Sequence, residues 1–447
     1  MNALTEKELT RGRIVANMSR FLAGIRAWHV FVVALALRLP LVVLRHPTLH
    51  YTENIKAGFT LAQRGYLGDP FAIPTGPTAH LSPAYPALVA AVRSITPSDD
   101  ACLHILSLIL AIVSSCNIAL LLPISRALKL PRGAGTIAAL MWLMPLFVWI
   151  EISGDHETPL TVAALLTLVT LVIRTIERAR PTVATGAGLG LAAGVAAYFT
   201  PLVLPMTALT TLAGARLVGW KTQGLLAILA GATLAFAVAI LPYTLRNHHV
   251  FGAWFFMRDN FGLELAMSNG PNARATMYEN LEAGGGTFTQ HPFSSRAAAA
   301  EVRDLGEVEY DRRLETAAVT WIRANPRAFL RLVAEREGYM VLPRSPRWYQ
   351  CVITGAIGLM AIAGCVFLWS SRYRFGIRCL TAAIVGYLLV YLLVEHDPRY
   401  MYPALFLESL VAASLPGALM KWSDSIPPRA GWDGNTSESR RNDHRDV

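Results

Sequence analysis

The feature that most constrains this 447-residue chain is a series of apolar runs too long for the buried stripe of a soluble helix. A helix needs ~20 predominantly apolar residues to cross the hydrocarbon core of a bilayer. Ten runs meet or approach that length: 27–44, 102–124, 134–151, 158–173, 184–199, 201–215, 224–245, 350–370, 378–394 and 400–420. The fifth and sixth are short, and Phe199-Thr200-Pro201 reads as a turn that separates them. Only 16% of residues are charged and 53% are hydrophobic, whereas soluble domains carry about 25% charged residues. A disordered chain, a disulfide scaffold and a typical cytosolic enzyme are thereby excluded. Cys102, Cys116, Cys351, Cys365 and Cys379 lie in or beside apolar runs without CxxC spacing, so no cysteine metal site is expected. The expected fold class is an all-α polytopic membrane protein of about ten helices with a partly helical external region.

The formal net charge of +10 points to cytoplasmic loops rather than to nucleic acid. With the N-terminus inside, Lys7, Arg11, Arg13, Arg20 and Arg26 are cytoplasmic. So are Arg126, Lys129 and Arg132, then Arg174, Arg178 and Arg180, then Arg216 and Lys221, then Arg372, Arg374 and Arg378, and finally Lys421. The turns at 152–157 and 199–201 carry no Lys or Arg. Short loops set orientation and long translocated loops do not, so an even number of spans with both termini in the cytoplasm is expected. An inner-membrane protein then divides into an N-terminal membrane module at 1–245, an external region at 246–349, a C-terminal membrane module at 350–421 and a disordered tail at 422–447. Within the external parts, Ala57–Gln63 is amphipathic, Pro83–Ile95 is too short to span, and Ser294–Leu332 has helical composition. A loop of about 100 residues should carry its own fold or a function.

Polar chemistry gathers at the external ends of the runs. Glu53 follows the first, with His80 further along the same loop. Asp155, His156 and Glu157 occupy the second external turn. Arg246, Asn247, His248 and His249 follow the seventh run. His396, Asp397, Arg399 and Tyr400 form the last turn. Carboxylates, imidazoles and guanidinium groups at one membrane face suit group transfer from an anionic lipid: arginine matches phosphate oxygens, and a carboxylate aligns or deprotonates an attacking hydroxyl. Arg38, inside the first run, is a further candidate for a lipid phosphate. A transporter or flippase of lipid-linked saccharides and a non-catalytic envelope-assembly protein are the rival readings. The absence of an internal repeat weighs against the transporter.

Five motifs occur in order along the chain: Tyr51-x-Glu53; Gly76-Pro-Thr-Ala-His80-Leu-Ser-Pro83-Ala-Tyr85-Pro86; Leu241-Pro-Tyr-Thr-Leu-Arg246-Asn247; Phe261-Gly-Leu-Glu264-Leu; and His396-Asp-Pro-Arg399-Tyr400-Met-Tyr-Pro403. Together they resemble the bacterial protein O-mannosyltransferases and the lipid A aminoarabinose transferase, polytopic glycosyltransferases of the GT-C type. The resemblance implies a polyprenyl-phosphate sugar donor, a lipid or cell-envelope glycan acceptor and catalysis among membrane lipids. It matches Glu53 to the catalytic carboxylate of the first external loop, and Asp155 or Glu157 to the acid of the second. The family often has Asp or Asp-Glu at the first position, where this chain has Thr52-Glu53. Arg246, His396, Arg399 and Tyr400 are then expected at the donor phosphate, and His80, Tyr85 and Asn247 in the substrate loops. No organic cofactor is implied, and some relatives hold a divalent metal near the lipid phosphate.

Overall fold

The computed structural model describes residues 22, 24–44, 52–144, 157–177, 181–344 and 348–424. Tyr51, Asp155, His156, residues 145–151 of the third run, the basic segment before Leu22 and the tail beyond 424 lie outside the described residues. Among the described residues the chain is helical, with two isolated β-bridges and no strand.

Five helices are long and apolar enough to cross a membrane. In chain order the first part contains α1 (Ala27–Leu44), α2 (Glu53–Arg64), α3 (Ala84–Ile95), α4 (Asp99–Ala127), α5 (Ala134–Trp142), α6 (Thr158–Glu177), α7 (Val183–Ala197), α8 (Val203–Leu217) and α9 (Thr222–Phe251). The 246–344 region contains α10 (Phe261–Ser268), α11 (Met277–Glu282), α12 (Gly286–Thr289), α13 (Arg296–Leu305), α14 (Glu307–Ala324) and α15 (Pro326–Val341). The last part contains α16 (Trp348–Leu368), α17 (Arg374–Leu388, continued by a 3-10 turn to Leu392) and α18 (Pro398–Asp424). The five are α4, α6, α9, α16 and α17 with its extension; α1, α3, α7 and α8 are apolar but shorter.

The central core is built where α4, α5, α6, α8, α17 and α18 meet. Trp142 stacks on Phe406 with ring centroids 3.9 Å apart and donates to Ser409 Oγ at 3.1 Å, which fixes α5 against α18. On one flank α7 packs on α9 through Gly186 and Gly190, whose missing side chains let the backbones of Ile228 and Ala232 approach. Small residues at four-residue spacing are the usual means of bringing apolar helices together where the solvent is itself apolar. The opposite surface of α9 exposes Leu226, Leu234, Val238 and Leu241, and α16 exposes Val352, Val366 and Phe367. Contiguous apolar faces of this kind are costly in water and compatible with hydrocarbon. Arg38, weighed above as a phosphate ligand, is instead fully buried, donating to Ser114 Oγ at 3.1 Å and to the Ala34 carbonyl at 3.2 Å. It ties α1 to α4, with its charge enclosed by polar atoms of the bundle.

Outside the bundle, α2 begins where the Thr52 side chain accepts from the Ile55 N–H, and ends at Gly65 in the left-handed conformation with φ +78°. Its apolar face packs on α3 and the start of α4 through Ile55, Phe59, Tyr85, Val89, Leu103 and Leu106. The Gly65–Pro77 stretch is organised by Asp69, which accepts from the backbone of Thr75 and Gly76 at 2.9 and 2.8 Å. The 246–344 region has its own small core of Leu263, Met267, Ala298, Ala299, Val302 and Tyr310, joined by Phe71 from the first loop. Helices α13 to α15 occupy the stretch that composition marks as helical. The last turn is sewn to this region by backbone bonds from His396 to Ala275 (2.8 Å) and from Met277 to His396 (3.0 Å). Asn269 adds a bond to the Leu393 carbonyl at 2.8 Å. The fold thus draws the loop after α1, the long loop and the last turn together.

Candidate active site

Glu53 is the first residue of α2, so its carboxylate stands at the positive end of a capped helix. Two imidazoles close on it. His80 Nε2 lies 3.3 Å and His291 Nε2 3.8 Å from Glu53 Oε1, with side-chain exposures of 4%, 13% and 22% for His80, His291 and Glu53. His80 comes from the first loop and His291 from the turn after α12; their rings meet edge to face at 5.5 Å. The next residue, Asn54, donates to Glu157 Oε2 at 3.0 Å and so brings the second external acid alongside.

Electrostatics sets the charge states. Burial acts to raise the Glu53 carboxyl, but His80, His291 and Arg258 outweigh it and hold it at about 2. Burial acts to lower His80, yet its contact with Glu53 raises it above the ordinary imidazole range. His291 is lowered, first by burial and further by His80 and Arg399, so it is mainly neutral at pH 7. The resting site is therefore an ion pair of Glu53 with His80, with a neutral imidazole beside it.

Cations border this pair. Arg258 donates from Nε to the His80 carbonyl at 2.9 Å. Arg399, at the head of α18, is 40% exposed at its side chain, lies 3.4 Å from Asp397 Oδ2 and 3.5 Å from the Tyr400 hydroxyl. Burial works to lower the guanidinium, but Tyr400, Asp397 and Glu157 raise it well above its ordinary value. Tyr400 stacks on Tyr391 at 4.9 Å. Glu53, Glu157, His80, Arg399 and Tyr400 are thus gathered into one region, as the loop ends predict.

Other expected residues make different contacts. Tyr85 is a buried packing residue of the α2–α3–α4 core. Asn247 is fully buried, accepting from Arg246 at 3.0 Å and donating to the Phe256 carbonyl at 3.4 Å; it braces the turn after α9. Arg246 is held between the rings of Tyr243 and Phe251 and donates to the Leu67 carbonyl at 3.4 Å. His396, expected at the phosphate, is buried, and burial lowers it to about 4, so it is uncharged near neutrality and supplies no counter-charge. Its backbone does the work described above. His291, Arg258 and Glu307 are functional candidates that sequence reading missed: they fall inside the long loop with no motif or run end to mark them.

Glu53, His80 and His291 place three ligand-type atoms within 4.8 Å of one another, the spacing of a divalent cation site. Metal binding would require these ligands to give up protons. His291 Nδ1 accepts the Phe293 N–H at 3.2 Å, which puts the neutral ring's proton on Nε2, facing Glu53. A cation bound through that Nε2 would have to displace this hydrogen bond, and would also have to take the proton from His80. The cluster reads as a carboxylate between two imidazole N–H groups.

The pH dependence follows from these shifts. Glu53 is depressed on folding, so its stabilisation is complete above pH 4.5 and is lost as pH falls toward about 2. His80 is raised on folding, so its contribution is complete below pH 6.5 and is lost as pH rises through the folded value. Thermal unfolding in lipid nanodiscs is expected to show the pair contributing most between those limits. His80→Asn should lower stability there by about 2 kcal/mol and flatten the decline on the alkaline side. An unchanged alkaline slope would assign that decline to another group.

No family model, curated protein or solved structure matches this chain.

Proposed function

We propose that the protein is a GT-C type glycosyltransferase of the inner membrane that moves a sugar from a polyprenyl phosphate to a lipid or cell-envelope glycan on the external face. The observation that carries this reading is the gathering of one ionised carboxylate, Glu53, with Arg258, with the second-loop acid Glu157 and with Arg399, whose guanidinium Glu157 influences. In this reading the bundle has ten spans, with both termini cytoplasmic, so that all four segments share the external face. A lipid-linked donor reaches that face within the bilayer, where nucleotide sugars are scarce.

The acceptor hydroxyl oxygen forms a bond to the anomeric carbon as the bond from that carbon to the phosphate oxygen breaks. The bond's electron pair leaves with the polyprenyl phosphate, and the hydroxyl proton passes to Glu53 and then to solvent. A carboxylate held near 2 is a weak base, so Glu53 acts mainly by orienting the hydroxyl and by countering positive charge that builds on the sugar ring. The phosphate is a fair leaving group, and Arg399 presents a two-pronged donor to it.

Purified protein in liposomes should transfer sugar from a polyprenyl-phosphate donor. Transfer from a nucleotide sugar without a lipid intermediate would reject the reading. Arg399→Lys keeps the charge and loses the fork, so donor KM is expected to rise about 10–100-fold with insertion intact. Full donor use by the lysine variant would make Arg399 an interface anchor instead.

A further inference from the structure

Glu307 does not touch Glu53, yet it holds the backbone that carries His80. It opens α14, more than two hundred residues along the chain from the first external loop, and is buried. One carboxylate oxygen accepts from the Thr78 hydroxyl at 2.6 Å and the other from the Ala79 N–H at 2.6 Å. The Thr78 hydroxyl in turn accepts the His80 N–H at 3.0 Å. Two of these residues are also held by the turn after α9: Asp259 donates its N–H to the Ala79 carbonyl at 3.0 Å, and Arg258 donates to the His80 carbonyl at 2.9 Å. Backbone polar groups in a buried loop need partners. The Thr78 N–H finds one in its own loop, the Leu67 carbonyl at 2.9 Å, whereas the partners of the Ala79 N–H and of the Ala79 and His80 carbonyls come from the long loop.

We propose that Glu307 is a positioning residue: it clamps Thr78-Ala79-His80 so that the His80 ring meets Glu53, and through it the long external loop sets the geometry of the catalytic carboxylate. The proposal deepens the functional reading above and rests on it for the word catalytic; the clamp itself does not. Both carboxylate oxygens are engaged by donors, which leaves them no part in binding substrate. The other charged groups facing His80 are Glu53, His291 and Arg258, with Asp259 and Asp311 close enough to be influenced by it. Asp311, one turn further along α14, is already committed to the Gly262 and Leu263 N–H groups at the start of α10, at 3.0 and 2.8 Å.

The test compares Glu307→Ala, Glu307→Gln and the control Glu309→Gln in nanodiscs. Glu309 shares the helix but pairs with Arg312 and Arg313 outside the site. Glutamine keeps an acceptor for the Ala79 N–H; alanine keeps neither bond. Amide exchange of peptides covering 76–81 is expected to quicken about 10–100-fold in Glu307→Ala, much less in Glu307→Gln, and not in the control. A misplacement of about 1 Å can cost ~10²-fold in rate, so kcat for sugar transfer should fall about 10–100-fold in the alanine variant while donor KM changes less than about threefold. Glutamine should restore most of kcat. Unchanged exchange at 76–81 in Glu307→Ala would overturn the clamp. Fast exchange with unchanged kcat, or a matching rise in KM, would overturn its positioning role. If the wild-type protein transfers no sugar, the functional reading fails, and the exchange data still decide the clamp.

Discussion

Replacing Glu53 with Gln is expected to reduce sugar transfer by ~10²–10⁴-fold while leaving the protein inserted and folded. The amide has the size of the carboxylate and can still meet His80, so α2 and its cap should persist. What disappears is the negative charge between two imidazoles, and with it the raised affinity of His80 for its proton. The hydroxyl then loses its charged acceptor, keeping at most a neutral amide oxygen, and the developing positive charge on the sugar loses its counterpart. Glu53→Asp should be milder, because it keeps the charge and withdraws it by one methylene from His80. Glu157→Gln, made in parallel, separates the two loops: Glu157 accepts from Asn54, so its loss should disturb orientation more than charge. Normal turnover in Glu53→Gln together with loss in Glu157→Gln would move the chemistry to the second loop.

The largest expected effect on stability lies far from the site, at Gly190. A Cβ there would run into the Ala232 backbone carbonyl of α9, and backbone cannot move aside as a side chain can. Overpacking generally costs ~1–3 kcal/mol and occasionally more. Gly190→Leu should sit at or above the upper end, because α7 and α9 must separate along their length. Gly188→Leu is the matched control: it is on the same helix, exposed, with open space around its Cα. Thermal unfolding in detergent should show a large drop for the first and a change within about 0.5 kcal/mol for the second. Equal stability of the two variants would mean that α7 and α9 do not pack face to face.

What the sequence made legible divides along physical lines. Membrane-length helices announce themselves because length and apolarity are local properties; α4, α6, α9, α16 and α17 fall on expected runs. Glu157 and Arg399 were readable for a related reason, since each stands directly before an apolar run; Glu53 was readable as the only acid between the first run and Asp69. His291, Arg258 and Glu307 were not, since their positions depend on contacts between the long loop and the first one, and no spacing encodes such contacts. Tyr85 and Asn247 show the reverse error. Their residue types and motif suited a substrate loop, but burial decides role, and burial is a property of the assembled fold. His396 adds a subtler case, in which the chain position was informative and the side chain was not: the backbone joins two loops while the imidazole stays uncharged.

The site also has a birth order. Glu53 and His80 emerge early, whereas His291 follows about 240 residues after Glu53, then Glu307, and Arg399 only near the end; at roughly 5–20 residues per second that is tens of seconds of synthesis. Until residue 291 is made the carboxylate has at most one of its histidines, until 307 the Glu307 bonds to the 78–80 segment are missing, and until 399 the arginine of the last turn is missing. On the proposed reading, a chain still short of Arg399 is expected to transfer no sugar, because the arginine assigned to the donor phosphate is made last.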